Sequence, residues 1–242
     1  GDLGLTDDDL RCGPQIPNDA TERHRLRDAG ENACQMHNNC SGKHSGFLTL
    51  NRHLGGGAEY IEIDHPVQRA IKDAFEEMTG ETSPGFGIDG CSAPNHVSTV
   101  AGLARAMARM ARPEGLGARR SAAATELVQA MHTHPDLVAG EERACTVMMR
   151  AMAGGAAIKT GAEGVFVGIL PQKGWGIALK IADGTTRAAE CAIAALLVRA
   201  GVAKADDPAI ARFLFKEDRN RRGVLAGHIK PASELYRGGA LL

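Results

Sequence analysis

At 242 residues the chain is long enough for one full hydrophobic core or at most two small domains. Hydrophobic residues make up 43 % and charged residues 24 %, both ordinary for a soluble globular protein, and a formal net charge of −1 removes any argument for a basic nucleic-acid surface. No run approaches the ~20 apolar residues of a membrane span, and the acidic, polar start Gly1-Asp2-Leu3-Gly4 does not read as a signal peptide.

Residues 1–20 are expected to be an irregular lead-in, with Pro14, Pro17 and Asn18 as turn formers. Thr21 to Ala29 has the composition of a short helix closed by Gly30. Lys43 to His53 is expected to be a helix with Phe47, Leu48 and Leu50 inward, broken by Gly55-Gly56-Gly57. Asp64 is placed to cap a helix that carries Pro66 in its first turn and ends near Met78, before Gly80. Asn95 likewise precedes a periodic helix with Val100, Leu103, Met107 and Met110 on one face, stopped near Pro113. Two more helices are expected, at about 119–132 and 141–153.

The pattern then changes. Ala156 to Thr160, Gly164 to Leu170 and Gly174 to Ile181 are short β-rich runs, and the Pro171-Gln172-Lys173-Gly174 turn makes the last two antiparallel neighbours. Thr185 to Ala200 is an Ala-rich helix closed by Gly201. After Asp206 come one short helical candidate and a charged stretch, Lys216 to Arg222, with the character of a solvated surface. With aromatic residues at 4 %, the core must be built from Ala, Leu, Ile, Val and Met. Helices followed by an antiparallel hairpin and a helix to pack on it indicate an α+β fold, an antiparallel sheet packed with a helical cluster. Gly55-Gly56-Gly57 has neither the Lys nor the preceding strand of a phosphate loop.

The six cysteines form no small-domain disulfide framework. Cys145 and Cys191 lie in Ala-rich helical patterns and are most simply buried apolar residues, while Cys12 and Cys34 flank a polar stretch and are expected to be reduced. Cys40 and Cys91 remain as the thiols in need of a reason. Cys40 and Lys43 stand three apart at a helix start, where the helix end and the lysine charge would lower a thiol's pKa. Asp89 and Cys91, two apart, point to one side of an extended segment, or else form a turn in which Asp89 bonds its own backbone and Gly90 takes a positive φ. Asp89, Cys91 and Cys40 would make a mixed sulfur and oxygen shell for zinc, with Lys43 or His44 as the fourth donor. Lys159-Thr160-Gly161 enters from the end of a β run, as does the K-T-G triad beside the active serine of penicillin-recognising enzymes. His132-Thr133-His134-Pro135 has the look of a metal pair but belongs more naturally to an exposed loop.

Three runs carry a resemblance: Asn39 to Phe47 around Cys40-Ser41-Gly42-Lys43-His44, Gly87 to Asn95 around Asp89-Gly90-Cys91, and Lys159 to Val165. In colinear order over essentially the whole chain, they resemble the Rhizobium-type L-asparaginase II family. The resemblance implies a single asparaginase-like domain over 1–242, a fold related to serine β-lactamases and glutaminases, and conversion of L-asparagine to L-aspartate and ammonia. It also implies zinc held by Cys40, Lys43 and Cys91 with Asp89 supporting the shell, and Lys159 as catalytic member of a serine–lysine dyad. His44, Ser92, Asn95, Thr160 and Gly161 fall in the same motifs and are the expected pocket residues.

Family members carry a Ser-x-x-Lys element further towards the amino terminus, and no such element lies upstream of Cys40. The amino-terminal part of the family domain is therefore expected to be missing, with the nucleophilic serine in it and activity in question. Two rival classes follow, a non-catalytic zinc-binding remnant and a β-lactamase-like or transpeptidase-like acyl transferase. The expected setting is cytoplasmic. The expected partners are L-asparagine and a second copy of the chain in a homodimer, with no nucleic acid and no membrane.

Overall fold

The computed structural model describes residues 3–236, which fall into two compact units with their boundary between Ser98 and Thr99. Helix accounts for about 48 % and strand for about 13 %, and every strand pair among the described residues is antiparallel, an α+β organisation. No helix among the described residues is long and apolar enough to cross a membrane.

The first unit opens with a turn of 3₁₀ helix and then α1 (Ala20–Ala29), where the Asp19 side chain accepts from the Glu22 N–H and Gly30 closes the helix at φ 66°. Helix α2 (Ser41–Leu54) buries Leu48, with Phe47 and Leu50 packed beside it, and ends at Gly55. Helix α3 (Pro66–Thr79) corrects one expectation. Its cap is His65, whose Nδ1 accepts from the Val67 N–H at 3.2 Å, and not Asp64. Strands β1 (Phe86–Ile88) and β2 (Pro94–His96) form a hairpin that the sequence did not reveal, and Asn95 belongs to it instead of capping a helix.

The small core of this unit comprises Leu10, Cys12, Leu48, Tyr60, Val67, Cys91 and Ala93. So little apolar area leaves the loops to polar stitching. Tyr60 Oη accepts from the Arg11 N–H at 2.7 Å, Gln68 Nε2 donates to the Tyr60 carbonyl at 2.7 Å, and Asn38 Nδ2 donates to the Cys12 carbonyl at 2.8 Å. Such bonds are worth about 0.5–1.5 kcal/mol each, and losing one partner of a buried pair costs more than that.

The second unit begins with α4 (Val100–Ala111), capped by the Thr99 hydroxyl accepting from the Gly102 N–H. Its buried positions are Gly102, Ala106 and Ala111, and Met107 and Met110 pack against the core as the periodicity implied, whereas Val100 is 47 % exposed. Helices α5 (Ala118–Thr133), α6 (Pro135–Ala139) and α7 (Ala144–Met152) follow. Strands β3 (Ala157–Thr160), β4 (Val165–Leu170) and β5 (Trp175–Lys180) form one antiparallel sheet in that order, with Leu170 opposite Trp175 across the expected turn. Helix α8 (Thr186–Arg199) packs on this sheet.

Residues directly opposite in an antiparallel pair share a face. Ala157, Ile169 and Gly176 therefore lie on one face, together with Lys159, Val167 and Ala178. Helix α4 sits directly over Gly176, where a Cβ would come within 2.1 Å of the Ala104 carbonyl oxygen. On the other face Ile158, Phe166 and Leu170 are fully buried. Each such side chain contributes about 1.5–3 kcal/mol.

The described residues finish with α9 (Pro208–Leu214), strands β6 (Lys216–Arg219) and β7 (Leu225–Ile229), and α10 (Ser233–Tyr236). The charged stretch is solvated, as expected, but it forms a hairpin: all four residues of β6 are exposed while paired to β7.

Candidate functional site

Cys40 caps the start of α2. Its N–H donates to Asn38 Oδ1 at 2.8 Å and its carbonyl accepts from the His44 N–H at 3.0 Å, so the thiol is held where the helix begins and Lys43 follows one turn on. The partner segment is the β1–β2 hairpin loop. Its backbone closes through Asp89 N–H to the Ala93 carbonyl at 3.0 Å and Ser92 N–H to the Asp89 carbonyl at 2.9 Å. Asp89 Oδ1 accepts from the Gly90 N–H at 2.8 Å, which is the self-bonding turn foreseen as an alternative, but the positive φ of 69° falls on Ser92 and not on Gly90. The turn and the cluster are therefore one structure. A tight loop spends one carboxylate oxygen on its own backbone and leaves Oδ2 and the Cys91 Sγ facing α2.

The ligand atoms of Cys40, Asp89 and Cys91 lie within 4.8 Å of one another. Lys43 Nζ is 3.1 Å from Cys91 Sγ and 3.4 Å from Asp89 Oδ2, and Cys91 Sγ is 3.5 Å from the same oxygen. Cys91 is buried and Cys40 partly so. Lys43, not His44, is the nitrogen beside the thiols. Two sulfurs, a carboxylate oxygen and an amine at this spacing fit a borderline-soft divalent cation such as zinc. Among the described residues no other group of three or more His, Cys, Asp and Glu side chains is so arranged, and His132 and His134 belong to none.

The electrostatics follow from partial burial. Burial pushes the Cys40 thiol above its ordinary pKa against the pull of the Lys43 charge, the opposite of the lowering expected at a helix start. Burial also works against the Lys43 ammonium, but the Cys91 hydrogen bond and the nearby thiols and Asp89 prevail and raise its pKa. For Asp89, burial is outweighed by the Gly90 N–H and by Lys43, which hold its carboxyl below the usual value.

His44 lies beneath this cluster, fully buried, with Nδ1 2.8 Å from Tyr60 Oη and its ring packed against Phe47. Burial, aided by the Lys43 charge, lowers its pKa to about 4, so the ring is neutral. Its Nε2 is buried with no hydrogen-bond partner among the described residues. Tyr60, Asn38 and Gln68 hold these loops together and were not foreseen. The signal was there in a polar side chain amid short apolar runs, which must find a bond once buried. Ser92 and Asn95 are exposed on the hairpin.

Lys159, Thr160 and Gly161 belong to the second unit. Lys159 and Thr160 end β3, and the Gly161 N–H continues the ladder to the Val165 carbonyl at 2.8 Å. Lys159 Nζ donates to the Thr160 carbonyl at 2.7 Å, and the buried Thr160 N–H donates to Cys145 Sγ at 3.3 Å. A Cβ on Gly161 would press within 3.1 Å of the Val165 Cβ, so the strand end is shaped for glycine.

The family model for L-asparaginase II matches residues 1–231. No curated protein matches the chain.

Proposed function

Because the chain belongs to the L-asparaginase II family, we propose that it is an asparaginase-type amidohydrolase that converts L-asparagine to L-aspartate and ammonia. The observation that carries this reading, beside the family itself, is the meeting of Cys40 and Lys43 with Asp89 and Cys91, which unites two of the motifs in one donor set. Cys40, Lys43 and Cys91 hold zinc directly, and Asp89 supports the shell from its hairpin loop. Zinc in so electron-rich a shell would supply a fixed positive charge of modest Lewis acidity, suited to a positioning role.

Amide hydrolysis needs a nucleophile, a base and stabilisation of the developing oxyanion. In a serine–lysine mechanism the hydroxyl proton passes to a lysine amine as oxygen adds to the side-chain carbonyl carbon. The amine returns that proton to the departing nitrogen, ammonia leaves, and water cleaves the remaining ester. Lys159 is the lysine this chain contributes, held at a strand end by its bond to the Thr160 carbonyl. Gly161 lets the strand end close against Val165, and Thr160 keeps that end in register. Buried His44 supports the helix turn that carries Lys43.

The test is ammonia release from L-asparagine, run on zinc-loaded protein with the metal content measured in parallel. Asparagine-dependent release lost in Lys159→Ala supports the proposal. Stoichiometric zinc with no release would leave a metal-binding protein without amidohydrolase activity, and turnover of nitrocefin in place of asparagine would move the chemistry to acyl transfer from lactams.

A further inference from the structure

A second thiol, outside the metal cluster and unused by the amide chemistry, has a base and a carboxylate lined up behind it. Cys34 Sγ lies 3.3 Å from His37 Nδ1, and His37 Nε2 lies 3.5 Å from Glu22 Oε1. The tautomer is set by the backbone: the Cys34 N–H donates to His37 Nδ1 at 3.0 Å, so Nδ1 carries the lone pair and the ring proton sits on Nε2, facing Glu22. Glu22 is anchored in turn by Arg25, whose Nη2 is 2.8 Å from Oε1, and this bond holds the carboxyl below its ordinary pKa. Nucleophile, base and orienting group therefore stand in the order that activates a thiol.

Access is available as well. Cys34 is partly exposed, and the His37 side chain is 19 % exposed. Of the remaining cysteines, Cys12, Cys91, Cys145 and Cys191 are buried, and Cys40 belongs to the metal cluster.

We propose that Cys34 is a peroxide-reactive thiol, oxidised to the sulfenic acid with His37 as general base and Glu22 orienting the imidazole. Sulfur attacks one peroxide oxygen, so that an S–O bond forms as the O–O bond breaks. The thiol proton moves to His37 Nδ1 and is passed to the departing hydroxide, which leaves as water. Sulfur is oxidised by two electrons and the hydroperoxide is reduced by two. The Cys34 N–H competes for the same lone pair, so the thiol proton moves to Nδ1 as the electrophile arrives.

The experiment treats the purified, zinc-loaded chain with substoichiometric hydrogen peroxide, traps sulfenic acid with dimedone and assigns adducts by peptide mass spectrometry. Cys34 is expected to carry most of the adduct. His37→Ala should slow its formation about 100-fold, the lower range for a lost general base, and added imidazole should restore part of the rate. Glu22→Gln, at a side chain 36 % exposed and easily tolerated, should slow it several-fold and serves as the test should the histidine variant not fold. Adduct spread evenly over Cys34 and Cys40, or a rate unchanged in both variants, would overturn the proposal.

Discussion

The Nζ of Lys43 lies 3.1 Å from the Sγ of Cys91, although 48 residues separate them in the chain. A helix start and a hairpin loop thus bring an amine to a thiol that also faces Asp89. Coordination demands an unprotonated nitrogen, which lysine can supply and arginine cannot. Lys43→Arg, which keeps the charge, is therefore expected to weaken zinc binding sharply, and Cys91→Ser to abolish it. Asp89→Asn should cost about 10–100-fold in affinity, as outer-shell partners do. Competition with a chromophoric chelator measures all three; wild-type affinity in Lys43→Arg would remove Lys43 from the ligand set.

Lys159 is expected to matter for turnover and little for folding, because its side chain is only partly buried at a strand end. Lys159→Ala should lower asparagine turnover by about 10²–10⁴-fold, the range for a lost proton-transfer group. Zinc content and thermal midpoint should stay at wild-type values. An equal loss in Lys159→Arg, which keeps the charge, would identify proton transfer as the role, and near-normal turnover would identify charge alone.

His44 should govern part of the acid sensitivity. Its folded-state pKa of about 4 lies below the ordinary 6.5, so as pH falls the unfolded chain takes up the proton first. Stability is then lost between pH 6.5 and 4, on the order of 3 kcal/mol at 1.36 kcal/mol per unit. Gln in place of His44 can still bond Tyr60 and does not titrate. Urea unfolding at a series of pH values should show a flatter acid limb for His44→Gln, and an unchanged slope would refute the assignment.

Gly176 is expected to tolerate no side chain. A Cβ there would lie 2.1 Å from the Ala104 carbonyl oxygen and 2.3 Å from the Ala108 nitrogen, both helix backbone that cannot swing aside. Gly176→Ala should cost about 1–3 kcal/mol as overpacking. Thermal denaturation would read this as a midpoint several degrees lower, whereas a midpoint at the wild-type value would mean that α4 slides freely on the sheet.

Periodicity located the long helices and the β4–β5 hairpin because each is decided within a dozen residues. Gly30, Gly55 and Gly80 all close their helices in the left-handed region. The short hairpins were not legible for a physical reason. Lys216 to Arg219 is exposed at every position and lacks any apolar alternation, and Phe86 to Ile88 and Pro94 to His96 are three residues each. The caps at Asp64 and Asn95 were misplaced because a histidine at position 65 and Thr99 made the bonds instead. For the same reason Val100 fell on the exposed side: over Gly176 the helix turns its smallest residues to the sheet.

The sequence by itself determined the family, the α+β class and the identity of the candidate ligands, since long motifs and local propensities are written in neighbouring residues. Only the tertiary structure decided that Lys43 and not His44 faces the thiols, that His44 is spent on Tyr60, and that burial raises rather than lowers the Cys40 pKa. Those outcomes depend on which side chain a hairpin 48 residues away happens to meet. Desolvation and pairing are properties of the packed neighbourhood, and no stretch of chain carries them alone.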